Sequence, residues 1–144
     1  MTKFIESPSV KKLCELTKES YLRYWDERNG GNVSVRLEAS EVEAYEDVKE
    51  VKRVLDLGFD ASTLAGYYYL VTGTGRYFRN VANQPLLDLG LVRISADGQK
   101  AELLWGFEDG GKPTSEFASH LMSHIERLKV NPNHKVVFHC HPTN

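Results

Sequence analysis

Two apolar runs, Leu89–Ser95 and Glu102–Trp105, flank the tripeptide Ala96-Asp97-Gly98. An Asp-Gly pair between apolar segments is a hairpin signal, because a tight turn needs the positive backbone angles that these residues accept. Two strands are therefore expected to be adjacent and antiparallel. The segment that follows narrows the fold further. Phe117, Leu121, Ile125 and Leu128 recur at helical spacing within residues 115–129, and Pro113-Thr114-Ser115 reads as the helix start. Asn131-Pro132-Asn133 breaks this helix, and the apolar strand Lys135–Cys140 follows at once. So short a connection makes helix and strand antiparallel or nearly so. The helix start and the strand end are then expected at the same end of the sheet.

The rest of the chain fits one domain over residues 1–144. Val10, Leu13, Cys14, Thr17, Tyr21 and Tyr24 form one helical stripe, on which Cys14 reads as a buried apolar residue. Asn29-Gly30-Gly31 is the stop signal. Val33, Val35 and Leu37 alternate with Ser34 and Arg36, the pattern of a strand with one wet face. Residues 38–58 are rich in charge and read as a solvated helix or irregular surface excursion. Tyr67–Val71 reads as a buried strand leading into Thr72-Gly73-Thr74-Gly75, with a second strand expected at Tyr77–Val81. The sum is an α/β domain in which helices cover a mixed or largely antiparallel sheet.

Composition excludes several classes. Hydrophobic residues at 41% and charged residues at 26% are ordinary for a globular chain. Eighteen Lys+Arg against twenty Asp+Glu, a net charge of -2, argues against a nucleic-acid binder. No apolar run reaches the ~18–20 residues of a membrane span, and no membrane partner is expected. The first ten residues carry Glu6, Ser7 and Pro8 in place of an apolar signal core. Cys14 and Cys140, the two cysteines, make no disulfide scaffold, so a cytoplasmic protein is expected.

Chemistry concentrates in a few places. In the strand ending His139-Cys140-His141, residues two apart share a face, so the two imidazoles can converge on one metal ion while Cys140 turns away. His120 and His124, four apart on the 115–129 helix, are a rival pair. They lack the adjacent glutamate of a metalloprotease helix and read otherwise as a polar helix face or subunit contact. His134 reads as a loop residue. Glu116, in the first helical turn, suits the helix dipole, and its proximity to the histidine strand makes it a candidate acid/base. Thr72–Gly75, Asn29–Asn32 and the Thr114-Ser115 helix start each offer backbone or hydroxyl donors to an anion. Three such sets beside a candidate metal site point to a phosphorylated substrate. Neither glycine turn fits a nucleotide-binding pattern.

Read in order, Trp25-Asp26-Glu27-Arg28-Asn29-Gly30-Gly31-Asn32, Val71-Thr72-Gly73-Thr74-Gly75, Tyr77-Phe78-Arg79-Asn80-Val81, Pro113-Thr114-Ser115-Glu116 and His139-Cys140-His141 resemble the class II aldolases. The resemblance runs from about Tyr21 to Asn144. It is strongest to members that act on L-rhamnulose 1-phosphate, while the His-x-His pair is shared with fuculose-phosphate aldolases and ribulose-phosphate 4-epimerases. It implies α/β/α layers, a zinc ion, a homotetramer, and reversible cleavage to dihydroxyacetone phosphate and L-lactaldehyde. It also implies that His139 and His141 are two of three zinc histidines and that Glu116 is the general acid/base. Asn29, Asn32, Thr74 and Ser115 would surround the dihydroxyacetone phosphate moiety, with Gly31, Gly75 and Thr114 in the turns that hold it. The family's third histidine lies later in the chain than this sequence extends, so an N-terminal portion of a longer protein is expected. The competing readings are another sugar-phosphate aldolase or 4-epimerase of the same fold, or a non-catalytic metal-binding fragment.

Overall fold

Ser7 and Pro8 begin helix α1, Pro8–Leu22. The Ser7 hydroxyl accepts the Val10 amide at 3.3 Å, and Pro8 occupies a first-turn position where no N–H is needed. The computed structural model describes residues 3–22, 32–72, 88–108, 117–130 and 136–139. Along these lie strands β1 (Asn32–Leu37), β2 (Arg53–Asp56), β3 (Tyr68–Thr72), β4 (Leu89–Ile94), β5 (Lys100–Gly106) and β6 (Val136–His139). A short helix α2 spans Ala39–Val42, and helix α3 spans Phe117–Val130.

The six strands form one sheet in the order β2-β5-β4-β3-β1-β6, and every described pairing is antiparallel. The sheet is thus wholly antiparallel over the described residues, where a mixed one was also open. The expected hairpin joins β4 and β5, with Gly98 at φ 73°. Leu104 is an extra residue in β5, opposite the step from Leu91 to Val92, and makes a bulge.

Both faces of the sheet are covered. Phe4, Val10, Leu13, Val33, Leu37, Leu70, Leu91 and Trp105 belong to one core, on the α1 side. Tyr69, Val71, Val92, Leu103, Phe107, Phe117 and Leu121 belong to the other, on the α3 side. These are the α/β/α layers of the class the sequence implied.

Three expectations need correction. β1 has no wet face: Ser34 is 0% exposed under the two histidines of α3, and Arg36 is 6% exposed with its guanidinium 5.5 Å from the Tyr67 ring. The charged stretch 38–58 is not merely a solvated excursion. It buries Val42 and Val48 in the α1-side core and supplies β2, an edge strand. Cys14 is half-buried against the core rather than inside it. The strand expected at Tyr77–Val81 lies outside the described residues.

Candidate functional site

The antiparallel registers gather several strand ends at one end of the sheet. Asn32, which opens β1, stands directly opposite His139, which closes β6. Thr72, which closes β3, stands opposite Leu89, which opens β4. The Thr72 hydroxyl accepts the Val33 amide at 3.1 Å and ties β3 to the start of β1. Gly106 at the end of β5 pairs with Gly90, and the Phe107 amide donates to the Leu89 carbonyl at 2.9 Å. Asp88, 0% exposed, immediately precedes β4 at this same end.

Backbone conformation is tightly specified here. Gly106 has φ 86°, and a β-carbon on it would lie 2.0 Å from the Leu89 carbonyl oxygen. Phe107 has φ 47°, unusual for a residue with a side chain, and its ring fills the space that a β-carbon on Gly90 would need. The chain leaves the sheet through this corner toward residues 109–116.

Of the residues singled out from the sequence, Asn32 and His139 are brought together as register partners. Asn29, Gly31, Thr74, Gly75, Thr114, Ser115, Glu116 and His141 lie outside the described residues. Each belongs to a segment whose described neighbour stands at this end: Asn32, Thr72, Phe107 or His139. Among the described residues no three metal-binding side chains cluster. His139 stands at the terminus of β6, and imidazole is a donor type that suits zinc.

His120 and His124 are placed differently from the expected polar helix face or subunit contact. They are 3% and 1% exposed and point into the sheet. Ser34 Oγ lies 2.7 Å from His120 Nδ1 and 2.9 Å from His124 Nε2. The His124 ring packs on Tyr69 at 4.7 Å between centroids. Burial pushes the Tyr69 phenol well above the ordinary tyrosine range. Tyr69 lies farther from the Asn32–His139 end than Val71, the register partner of Ser34. The helix therefore starts over that end and runs away from it, as the short connection to β6 required. Sequence reasoning passed over Tyr69 and Asp88, read Ser34 only as part of a wet face, and read Thr72 as part of an anion-binding turn rather than as the tie to Val33. A serine alternating with valines signals a wet face unless a helix is known to cover it.

The family model described as the class II aldolase and adducin N-terminal domain matches residues 11–144. The chain belongs to this family. A rhamnulose-1-phosphate aldolase of Listeria innocua is 48% identical across 100% of this chain and 53% of its own length. One from Enterococcus faecalis is 45% identical over 97% of this chain and 50% of its own length, and one from Yersinia pseudotuberculosis is 42% identical over 100% and 53%. Among solved structures, a sugar-phosphate aldolase from Thermotoga maritima superposes with a TM-score of 0.77 at 33% identity, covering 93% of this chain and 53% of that one. The class II aldolase fold is thus common to both. The chain spans about half the length of the curated relatives it matches. No helix among the described residues is long and apolar enough to cross a membrane.

Proposed function

We propose that this chain forms part of a cytoplasmic, homotetrameric, zinc-dependent lyase that reversibly cleaves L-rhamnulose 1-phosphate to dihydroxyacetone phosphate and L-lactaldehyde. The observation that carries the reading is the convergence of the Asn32, Thr72, Phe107 and His139 strand ends at one end of the sheet. The segments anchored there contain all of the motif residues. The names of the aligned relatives supply the substrate.

Cleaving a carbon–carbon bond beside a carbonyl leaves negative charge on the carbonyl fragment. A zinc ion held by His139 and His141, when bound, supplies Lewis-acid stabilisation of that charge. In cleavage the hydroxyl of the departing carbon gives up its proton to solvent as it becomes the aldehyde, and Glu116 carries the proton that the severed carbon gains; condensation reverses both. Asn29, Asn32, Thr74 and Ser115 surround the dihydroxyacetone phosphate portion. The turns at Gly31, Gly75 and Thr114 let backbone amides approach the phosphate closely. Holding the phosphate far from the breaking bond uses remote binding energy to orient the reacting carbons.

The test is an assay of the complete protein with L-rhamnulose 1-phosphate, L-fuculose 1-phosphate and a pentulose 5-phosphate, alongside metal analysis and native mass. Preferred release of dihydroxyacetone phosphate from the rhamnulose ester, with one zinc per subunit in a tetramer, is expected. Preference for another ketose phosphate would move the protein to a sister activity, and epimerisation without cleavage would replace the lyase reading.

A further inference from the structure

The buried polar cluster beneath α3 goes unused in the chemistry above. We propose that Ser34, His120 and His124 form a hydrogen-bonded lock that sets the start of α3, and with it Glu116, against the end of β6. All three are then positioning residues for the proton-transfer step. This rests on the reading of Glu116 as the acid/base.

Adhesion alone does not call for such a cluster. Phe117 and Leu121 already bury against the sheet from the same helix. Apolar contacts tolerate sliding and rotation, whereas hydrogen bonds are directional and fix distance. Here one strand hydroxyl meets two imidazoles from successive turns of the helix, at 2.7 and 2.9 Å. A hydroxyl has one proton to give, so at least one of the two imidazoles donates its N–H to Ser34 Oγ. Two anchor points on one helix face fix both its axial position and its rotation. Packing of His124 on the Tyr69 ring limits the swing of the second imidazole.

The register makes Ser34 a common reference point. Ser34 pairs with Val137 on β6, the strand that ends at His139. Glu116 immediately precedes Phe117, the first residue of α3, and His120 follows within the first turn of that helix. The first turn of α3, which follows Glu116 in sequence, and the strand that ends at His139 are thereby both tied to one serine. A misplacement of about 1 Å at a reacting group costs on the order of 10²-fold in rate, so such a reference is worth maintaining.

The experiment compares two variant pairs in the complete, zinc-loaded protein. Ser34→Ala removes the hydroxyl and Ser34→Thr keeps it. His120→Leu removes the ring nitrogen, and His120→Asn keeps a polar atom near the Nδ1 position. The removing variants are expected to lower kcat by about 10- to 100-fold while KM and zinc content stay near the parent's. The keeping variants should recover most of the loss. Amide hydrogen exchange should quicken in the first turn of α3 in Ser34→Ala, with β3 and β4 unchanged. Parental kcat in both removing variants, or equal losses in the keeping and removing members of a pair, would overturn the proposal. Either pair decides alone if a member of the other fails to fold. If both removing variants fail to fold, the cluster is a folding element and the positioning role is lost. A parent that cleaves no ketose phosphate would instead strike the functional reading itself, before any variant is compared.

Discussion

The two ends of the sheet are built on different plans. At the end away from His139, the β4–β5 hairpin closes on its own turn residues and on the Ala61 amide. Asp97 Oδ1 accepts the Ser95 hydroxyl at 2.6 Å and the Gln99 amide at 3.0 Å, and the Gly98 carbonyl accepts the Ala61 amide at 2.8 Å. At the other end, the described bonds run between strand ends, Thr72 to Val33 and Phe107 to Leu89. The connections that begin and end there hold Asn29, Thr74, Ser115 and Glu116. Turn chemistry closes one end of the sheet, and the opposite end borders the segments in which the proposed substrate-binding residues lie.

The contrast breaks most visibly in catalysis. In the complete protein, Glu116→Gln is expected to lower kcat by about 10²–10⁴-fold, with KM little changed, because the amide keeps the size of the carboxylate but cannot carry its proton. Steady-state kinetics would check this, and near-parental turnover would take Glu116 out of the mechanism.

Next in size is a stability difference between glycines. Gly106, at the His139 end, has both a positive φ and the Leu89 carbonyl in the way of any β-carbon. Gly66, at the opposite end, has φ 82° but open space around it. Gly106→Ala is expected to cost about 3 kcal/mol and Gly66→Ala about 1–2 kcal/mol, read from urea unfolding midpoints. Equal losses would show that the packed corner at Gly106 adds nothing beyond backbone strain.

The smallest effect belongs to the hairpin. Hydrogen bonds from Ser95 and then Gln99 hold the Asp97 carboxyl below the usual carboxylate range. A carboxyl whose folded value is depressed stabilises the fold above the ordinary aspartate pKa, and that contribution is lost as pH falls through the folded value. Proton titration by NMR should place the Asp97 midpoint below that of a free aspartate. Asp97→Ala should remove the associated acid loss of hairpin order and leave turnover unchanged. A normal midpoint would mean that the Ser95 and Gln99 bonds do not hold the carboxylate in solution.

Much of this frame was legible in the residues. The Asp-Gly turn, the 115–129 periodicity and the short link to β6 were enough for the antiparallel neighbours and the direction of α3. What escaped was whatever depends on neighbours distant in sequence. Ser34 looks solvated until α3 is laid over it, Arg36 until the Tyr67 ring meets its guanidinium, and His120 and His124 look like a surface or a metal pair until they meet the Ser34 hydroxyl. Arg53–Asp56 hid its strand character because half-buried Arg53 and Leu55 alternate with exposed Val54 and Asp56, an edge pattern that polarity does not mark. The candidate site was readable as motifs, since a phosphate and a divalent ion demand particular residue types. Its assembly was readable only in part, because register decides which strand ends meet.

The central claim is that metal chemistry belongs to the His139 end and not to the histidines under α3. Zinc per subunit, measured in the complete protein for His139→Ala/His141→Ala and for His120→Asn/His124→Gln, tests it most directly. The first pair should strip the zinc from a folded protein, and the second should keep the parental stoichiometry. Zinc retained by the first pair, or lost by the second with the fold intact, would contradict the account.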